Sequence, residues 1–304
     1  MHKIYTNALL AVLSVTLILL LGKADLKEAP LAEDVSSSTR LPQVIKSIRL
    51  DKVYSFAGEP LPRDNFDALE RLDRELLVNS YWHSSTILNL KNAARYFAVI
   101  EPILSKNKIP DDFKYIAVAE SNLRNETSPV GAKGIWQFMT PVAKGYGLEV
   151  SQDVDERYNL EKSTEAACRL IRDYYNRFGT WTNAAAAYNI GETRFASEMK
   201  RQKMESYYDM NLGAETGRYV FRLIAIKEIM ESPQEFGFYL EDQELYTPLN
   251  NYKSVKIDSS ISDLGEFAAN NEISYRIFKI YNPWLISSSL AVPKGKVYDI
   301  KIPH

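Results

Sequence analysis

Residues 110–121 read PDDFKYIAVAES, and this stretch decides both the fold class and where to look for a functional residue. The proline and the two aspartates at its beginning are typical of a helix start. Phe113, Ile116 and Ala117 lie on one apolar stripe of that helix, and the next position on the stripe is Glu120. We therefore predict a helix that turns a carboxyl group toward the core in its last turn.

A carboxyl group in that position has an unusual acidity. Burial disfavours the charged form, and the negative end of the helix dipole acts in the same direction, so the pKa of Glu120 is expected to lie above its ordinary value. A carboxylic acid that keeps its proton near neutral pH suits the cleavage of a glycosidic bond, whose leaving oxygen must be protonated. The alternative is a side chain that reaches solvent at the helix end or pairs with Arg124.

The rest of the chain divides into two kinds of pattern. Between residues 61 and 235 apolar positions recur at helical spacing, which indicates a mainly α domain. After Pro248 the order changes to strand, helix, helix and strand, with short alternating runs at 255–257 and 297–302. That order predicts a separate small α+β module at residues 248–304.

Composition excludes several classes of protein. The 304 residues carry a formal net charge of -2 with a sequence pI near 6.0, which argues against nucleic acid as a partner. Two of the three histidines stand at the chain ends, and Cys168 is the single cysteine, expected to be a small buried residue. A disulfide, a thiolate cluster or a histidine-rich zinc site is therefore excluded. The chemistry must use carboxylates, hydroxyls and amides, and we expect no metal and no cofactor.

The N-terminal region predicts export. The apolar run 8–21 is short for a bilayer-spanning helix but fits the hydrophobic region of a signal peptide. We expect residues 1–24 to be a signal peptide or, as the alternative, an uncleaved anchor that associates with the membrane. Residues 25–60 are predicted to be a polar lead-in, and residues 61–240 the helical domain. The expected location is the periplasm or a membrane surface that faces it.

Two further motifs carry polar and aromatic groups together. Residues 128–139, SPVGAKGIWQFM, combine two glycines with an aromatic–amide–aromatic run, and we expect Trp136 and Phe138 to present flat faces to sugar rings. The amide of Gln137 can donate to and accept from an acetamido or hydroxyl group. Residues 187–191, AYNIG, place a phenol and an amide side by side at a helix end.

The motifs Glu120-Ser121, 134–137 (GIWQ) and 187–191, in this order and spacing, resemble the family 1 lytic transglycosylases, in particular the membrane-bound murein members of the D type. The resemblance covers residues 65–230, more than half of the chain. It implies a lysozyme-like (goose-type-like) helical catalytic domain that cuts the glycan strands of peptidoglycan.

The resemblance also implies roles for single residues. Glu120 matches the catalytic acid/base of the family, and Ser121 matches a hydroxyl that contacts the catalytic carboxylate or the substrate acetamido group. The other matched positions are expected to contact the substrate: Gln137, Met139 and Tyr188 at the sugar subsites, Asn189 as the amide of its motif, and Glu215 and Tyr219 on a second wall of the groove.

The implied reaction is non-hydrolytic. It cleaves the β-1,4 bond between N-acetylmuramic acid and N-acetylglucosamine and closes a 1,6-anhydro ring, without a second enzyme carboxylate. Glu126 and Asp155 are the other acids near these motifs, and both are expected to be solvated loop charges. The alternatives are a hydrolytic muramidase or chitinase on the same fold, and a peptidoglycan-binding protein without turnover.

The C-terminal module resembles a degenerate LysM domain. The matching features are its element order, Tyr281-Asn282-Pro283 after the second helix, and residues 292–295 before the last strand. The usual Gly-Asp-Thr start is replaced by Asp258-Ser259-Ser260. The resemblance implies either glycan binding or a packing module that caps the catalytic domain.

Overall fold

The computed structural model of the chain describes residues 46–304. The predicted signal or anchor segment and most of the lead-in lie outside the described residues. Among residues 46–304 no helix has both the length and the apolar character that crossing a membrane requires.

Helices make up most of this part of the chain. Their bounds are α1 Phe66–Ser80, α2 His83–Lys106, α3 Lys114–Ser121, α4 Thr140–Gly145, α5 Leu160–Phe178, α6 Trp181–Ile190, α7 Glu192–Gln202, α8 Ala214–Glu231, α9 Leu264–Asn270 and α10 Tyr275–Tyr281. The strands are β1 Ser55–Phe56, β2 Glu59–Pro60, β3 Tyr252–Ile257 and β4 Tyr298–Pro303.

Helix α3 lies in the middle of the helical domain. It does not begin directly at Pro110, because one 3₁₀ turn, Asp111–Phe113, precedes it. Six of its eight residues, 114–118 and Ser121, are buried, and α3 packs against α2 and α8. It ends at Asn122, which adopts the left-handed conformation (φ 52°) and stops the helix just after Glu120 and Ser121.

The ends and the packing of the neighbouring helices follow from their sequences. Asn159 accepts a hydrogen bond from the Lys162 backbone at the start of α5, and Gly179 ends α5 in the left-handed conformation. The four alanines 184–187 of α6 are fully buried, which lets α5 and α8 approach α6 closely. Cys168 is buried, as its small apolar character predicted.

The folded part begins before residue 61. Tyr54 and Phe56 are buried in the core of the helical domain, and β1 pairs with β2 in a two-stranded ribbon. The carboxylate of Glu59 accepts hydrogen bonds from the backbone of Trp181 (2.7 Å) and Thr182 (2.8 Å) at the N-terminus of α6. The end of the lead-in predicted over residues 25–60 therefore differs from the structure, since a two-residue strand is too short to show a periodic pattern.

The C-terminal module has the predicted order of strand, two helices and strand. Strands β3 and β4 are antiparallel, with register from Tyr252 opposite Pro303 to Ile257 opposite Tyr298. Its core is built around the fully buried side chains of Phe278 and Leu285.

Candidate active site

Glu120 stands in the last turn of α3 and faces α8. Its Oε1 accepts a hydrogen bond of 2.6 Å from the phenol of Tyr219. Arg124 pairs with Glu126 instead (3.1 Å), so the alternative of a Glu120–Arg124 pair is wrong. Since α3 and α8 are both buried elements, the carboxyl group is held between two parts of the rigid core.

The surroundings of Glu120 favour its protonated form. Burial is the largest influence and raises the pKa of Glu120, and the negative charge of Glu215 acts in the same direction. The hydrogen bond from Tyr219 and the positive charge of Arg222 oppose this rise because they stabilise the anion. The net shift is upward, as the position of Glu120 on the apolar stripe predicted.

Two phenols accompany the carboxyl group. The pKa values of Tyr188 and Tyr219 are raised well above the ordinary value, first by burial and then by the charge of Glu120. Both therefore stay neutral donors. Tyr219 donates to Glu120, whereas Tyr188 donates to the backbone oxygen of Trp136 (2.7 Å). The structure brings these two predicted residues to Glu120 from two different helices.

Ser121 is tied to backbone rather than to the carboxylate. It is 3% exposed, and its hydroxyl lies 3.0 Å from the oxygen of Ala117 and 2.9 Å from the oxygen of Ile135. These bonds fasten the loop 128–139 to the end of α3. The structure therefore differs from the predicted contact with the carboxylate or the substrate, because the hydroxyl turns inward at the helix end.

The loop 128–139, which we call the glycine loop, places its aromatic residues inside. Trp136 is fully buried and donates to Thr164 Oγ1 (2.9 Å), and Phe138 is 2% exposed. The expectation that these two rings pack under sugars was wrong, since they form the core beneath the loop. Met139, at 41% exposed, presents its side chain at the surface.

Gln137 is oriented by its own loop. Its backbone has φ 50°, and its Nε2 donates to the oxygens of Gly134 (2.8 Å) and Glu126 (3.2 Å). Gly134 is needed where it stands, because a Cβ there would lie 1.9 Å from the backbone oxygen of Arg157. The loop is thus a rigid carrier of the Gln137 amide.

Asn189 connects two helices at the site. Its Oδ1 accepts a hydrogen bond of 2.7 Å from Thr216 Oγ1. The end of α6 is thereby joined to the start of α8, where Glu215 and Tyr219 reside. This hydrogen bond gives the side-chain amide of Asn189 a structural role.

Arg218 and Arg222 on α8 were not predicted from the sequence, although their spacing from Glu215 places them on one helix face. Arg222 contacts Glu215 through Nη1 (2.8 Å) and lies 3.6 Å from the buried carboxylate of Glu75. Arg218 approaches Glu75 at 2.7 Å. The pair with Arg222 lowers the pKa of Glu215. Glu215 is therefore ionised and held in place by Arg222 on this face of α8.

A cavity of about 630 Å³ opens beside these residues. Its lining includes Ala119, the neighbour of Glu120 in the chain, and the half-exposed ring of Trp82. It also includes Glu215 and Arg222, whose charges act on Glu120. Asn89 also lines it with a buried amide. A cavity with amides, paired charges and exposed aromatic rings suits a polar ligand that carries hydroxyl and amide groups.

The two acids predicted to be solvated differ from each other. Glu126 is half exposed, as expected. Asp155 is 1% exposed and forms a buried ion pair with Arg157 at 2.7 Å, so its prediction was wrong. In the described part of the chain, no group of three His, Cys, Asp or Glu side chains is placed to hold a metal ion.

Comparisons with family models agree with this arrangement. A model of the transglycosylase SLT domain matches residues 98–211, which include Glu120, the glycine loop and Tyr188. A model of the soluble lytic transglycosylase C-terminal LysM-like domain matches residues 253–304.

Two curated relatives are also similar to this chain. Membrane-bound lytic murein transglycosylase D of Escherichia coli strain K12 is 28% identical over 197 residues, which cover 62% of this chain and 43% of that protein. A putative tributyltin chloride resistance protein of Alteromonas sp. strain M-1 is 29% identical over 116 residues, or 38% of this chain and 56% of that protein. The chain spans about half the length of these relatives.

Among solved structures, an inactive mutant of lytic transglycosylase Slt from Pseudomonas aeruginosa aligns with 51% of this chain and 27% of that chain, at 16% identity and a TM-score of 0.36. A score this low does not establish a shared fold. The two family matches confirm the predicted mainly helical, lysozyme-like domain and the small LysM-like module after it. The chain therefore carries a transglycosylase SLT domain followed by a LysM-like domain, and it is homologous to membrane-bound lytic murein transglycosylase D.

Proposed function

We propose that this chain is a peptidoglycan lytic transglycosylase and that Glu120 is its single acid/base. It cleaves the β-1,4 bond between N-acetylmuramic acid and N-acetylglucosamine and leaves a 1,6-anhydromuramyl end. The observation that carries the proposal is the partly buried carboxyl group of Glu120, whose pKa is raised while Tyr219 donates to it at 2.6 Å. That arrangement suits a group that gives up a proton and takes one back.

Each step of the proposed reaction depends on whether the Glu120 carboxyl group is protonated or ionised. Protonated Glu120 donates to the glycosidic oxygen, and the N-acetylglucosamine part leaves with that proton. The acetamido oxygen of the muramyl unit stabilises the positive charge at C1. Ionised Glu120 then accepts the proton of the muramyl 6-hydroxyl as its oxygen bonds to C1. Tyr219 and Arg222 stabilise the carboxylate between the two steps because both favour its charged form.

The nearby carboxylate of Glu215 argues for this route over hydrolysis. A hydrolytic enzyme needs a second carboxylate that activates water or attacks C1. Both oxygens of Glu215 are engaged by Arg222, at 2.8 and 3.3 Å, and the pKa of Glu215 is lowered. A carboxylate in that state is a weak base and a poor nucleophile.

The remaining predicted residues form the groove in this proposal. Gln137, Met139 and Tyr188 face the sugars beside the scissile bond, and the cavity lined by Trp82 and Asn89 extends the groove past Glu120. Ser121 and Asn189 fix the walls rather than the substrate. The partner is the glycan strand of peptidoglycan.

The test uses purified sacculi and mass spectrometry of the released muropeptides. Wild type should release products one water lighter than hydrolytic fragments. Glu120→Gln should release at least about 100-fold less, the usual loss when a general acid is removed. Glu126→Gln, an acid of the neighbouring loop that pairs with Arg124, is the matched control and should keep wild-type activity.

Other outcomes would identify the alternatives. Fragments that keep the added water would make the chain a hydrolytic muramidase. Binding of sacculi without release by wild type would make it a peptidoglycan-binding protein. Equal release by wild type and Glu120→Gln would remove Glu120 from its role.

We also propose that the chain acts in the periplasm or at a membrane surface that faces it. The apolar run 8–21 supports this location, and so does the similarity to the membrane-bound relative of Escherichia coli. N-terminal sequencing of the mature protein distinguishes the two forms. A new N-terminus at Asp25 indicates a cleaved signal, and an intact N-terminus in the membrane fraction indicates an anchor. Recovery in the cytosolic fraction would contradict the proposal.

A further inference from the structure

A residue of the SLT segment belongs to the core of the C-terminal module. Val154 lies within the residues that match the SLT domain, yet it is 1% exposed and packs in the apolar cluster of the module, which includes Trp284 and Leu285. Tyr158 packs against the same cluster. The module thus completes its core with a side chain from the preceding domain.

Backbone hydrogen bonds join the same two segments. The N–H of Asp155 donates to the oxygen of Trp284, and the N–H of Ile286 donates to the oxygen of Asp153, both at 2.9 Å. These bonds form a β-bridge between Val154 and Leu285. The segment 149–158, which we call the docking segment, is therefore held by the module on its backbone as well as its side chains.

Side chains of strand β4 and the turn before it reinforce the contact. The phenol of Tyr298 lies 3.0 Å from both carboxylate oxygens of Glu149, and Lys296 pairs with the same carboxylate. Glu149 and Glu156 exchange hydrogen bonds within the docking segment, each at 2.8 Å. The position of the docking segment is thus tied to the module at both of its ends.

The docking segment in turn holds the glycine loop. Asp155 binds the guanidinium of Arg157 through both oxygens, at 2.8 and 2.7 Å, and both side chains are at most 3% exposed. Arg157 Nη1 donates to the oxygens of Phe138 (3.1 Å) and Gly131 (3.3 Å). A buried bidentate pair of this kind fixes geometry more than it adds stability.

The last contacts reach the candidate active site. Gly134 lies so close to the backbone of Arg157 that no side chain fits between them. The loop carries Gln137, and the oxygen of Trp136 accepts the hydrogen bond of Tyr188. An unbroken series of contacts therefore runs from the module, through the docking segment, to the groups around Glu120.

We propose that the C-terminal module acts as a support for the glycine loop, and that Asp155 and Arg157 are positioning residues through which it keeps Gln137 in place for substrate. This inference rests on the proposed function for its consequence, but its structural part can be measured without activity. Loosening the module should free the glycine loop and weaken substrate binding. The acidity of Glu120 should not change, because Tyr219 and Arg222 lie on α8.

The test compares two variants of the full chain. Lys296→Met combined with Tyr298→Phe removes the contacts with Glu149. Lys256→Met, on exposed β3 of the same module, is the control. Amide hydrogen exchange is followed at residues 131–138. Five of their N–H groups donate to backbone oxygens of the loop or of Glu126, namely those of Gly131, Lys133, Gly134, Gln137 and Phe138. We expect exchange there to be at least about tenfold faster in the double variant, unchanged in the control, and unchanged in α8.

Kinetics on a soluble glycan substrate give a second readout. The double variant should raise KM about fivefold with little change in kcat, and the pH dependence of kcat should match wild type. If the double variant does not fold, Tyr298→Phe alone removes a single hydroxyl and is measured in the same way.

Two results would overturn the proposal. One is faster exchange in β3 and β4 with wild-type exchange at residues 131–138, which would mean that the module does not support the loop. The other is weaker binding to sacculi with unchanged loop exchange, which would make the module an independent glycan binder. Loss of activity in every variant, with the exchange result as expected, would count against the proposed function alone.

Discussion

The phenol of Tyr219 donates a 2.6 Å hydrogen bond to Oε1 of Glu120 and so joins the acid on α3 to a helix that begins nearly a hundred residues later. Burial favours the protonated carboxyl group, and this bond favours the carboxylate. The two opposing influences keep both forms of Glu120 accessible, as a group that serves first as acid and then as base requires.

Removing that phenol should change the pH dependence of the reaction. In Tyr219→Phe the anion loses a donor, so the pKa of Glu120 rises further. Because the reaction begins with protonated Glu120, activity is lost as the pH rises through this pKa, and the alkaline limb of kcat/KM should move to higher pH. The carboxylate formed after the first step is also less stable, so kcat should fall about tenfold, within the contribution of a hydrogen bond to a charged group.

Tyr115→Phe is the control for that measurement. Tyr115 is a buried tyrosine like Tyr219, but it lies on α3 and its phenol donates to Glu231 at 3.3 Å. It should leave the alkaline limb where wild type has it. A limb that stays in place in Tyr219→Phe, or moves to lower pH, would show that the phenol does not stabilise the anion.

Glu120→Gln should stabilise the protein in a pH-dependent manner. The folded-state pKa of Glu120 is raised above the ordinary 4.5, so the stability that this carboxyl group contributes is complete below that value and is lost as the pH rises through the folded-state pKa. Glutamine does not ionise, so the variant keeps its stability as the pH rises through this range. The Tm difference, variant minus wild type, should therefore grow between pH 4 and pH 8. For a protein of this size, a Tm difference of about 2–4 °C corresponds to 1 kcal/mol of unfolding free energy. A difference that shrinks with rising pH would contradict the raised pKa.

The two positive-φ glycines of the glycine loop should differ in their tolerance of alanine. Gly131 has φ 87° with no atom within 4 Å of an added Cβ, so Gly131→Ala should cost about 1 kcal/mol of unfolding free energy, the strain of the backbone alone. In Gly134→Ala the Cβ meets the backbone oxygen of Arg157 at 1.9 Å, and the cost should reach about 3 kcal/mol or more. Urea denaturation measures both, and equal costs would show that the loop can move away from the docking segment.

Glu215→Gln should leave the type of product unchanged. Its carboxylate is bound to Arg222 at the surface, a contact of about 0–1 kcal/mol, so the rate should fall less than about fivefold. Mass spectrometry of the muropeptides should give the same share of anhydro ends as wild type. A shift in that share would mean that Glu215 takes part in choosing between water and the 6-hydroxyl.

Local periodicity was enough to predict a mainly helical domain and the inward orientation of Glu120, because both depend on residues within two turns of one another. Trp136 and Phe138 were misread, since nothing in the sequence of a glycine-containing loop says on which side its rings pack. Asp155 was misread for a different reason. Its partner Arg157 is only two residues away, but the backbone of Asp155 is bound by the oxygen of Trp284, more than a hundred residues further along.

The place of Val154 inside the module's core also has a consequence for engineering. A chimera that exchanged residues 248–304 for a foreign carbohydrate-binding module would expose the apolar side chain of Val154 on the catalytic domain. The removed module, in turn, would have a cavity where Val154 had packed. The natural point of exchange is therefore discontinuous in the chain, and a successful graft must transplant the docking segment together with its module.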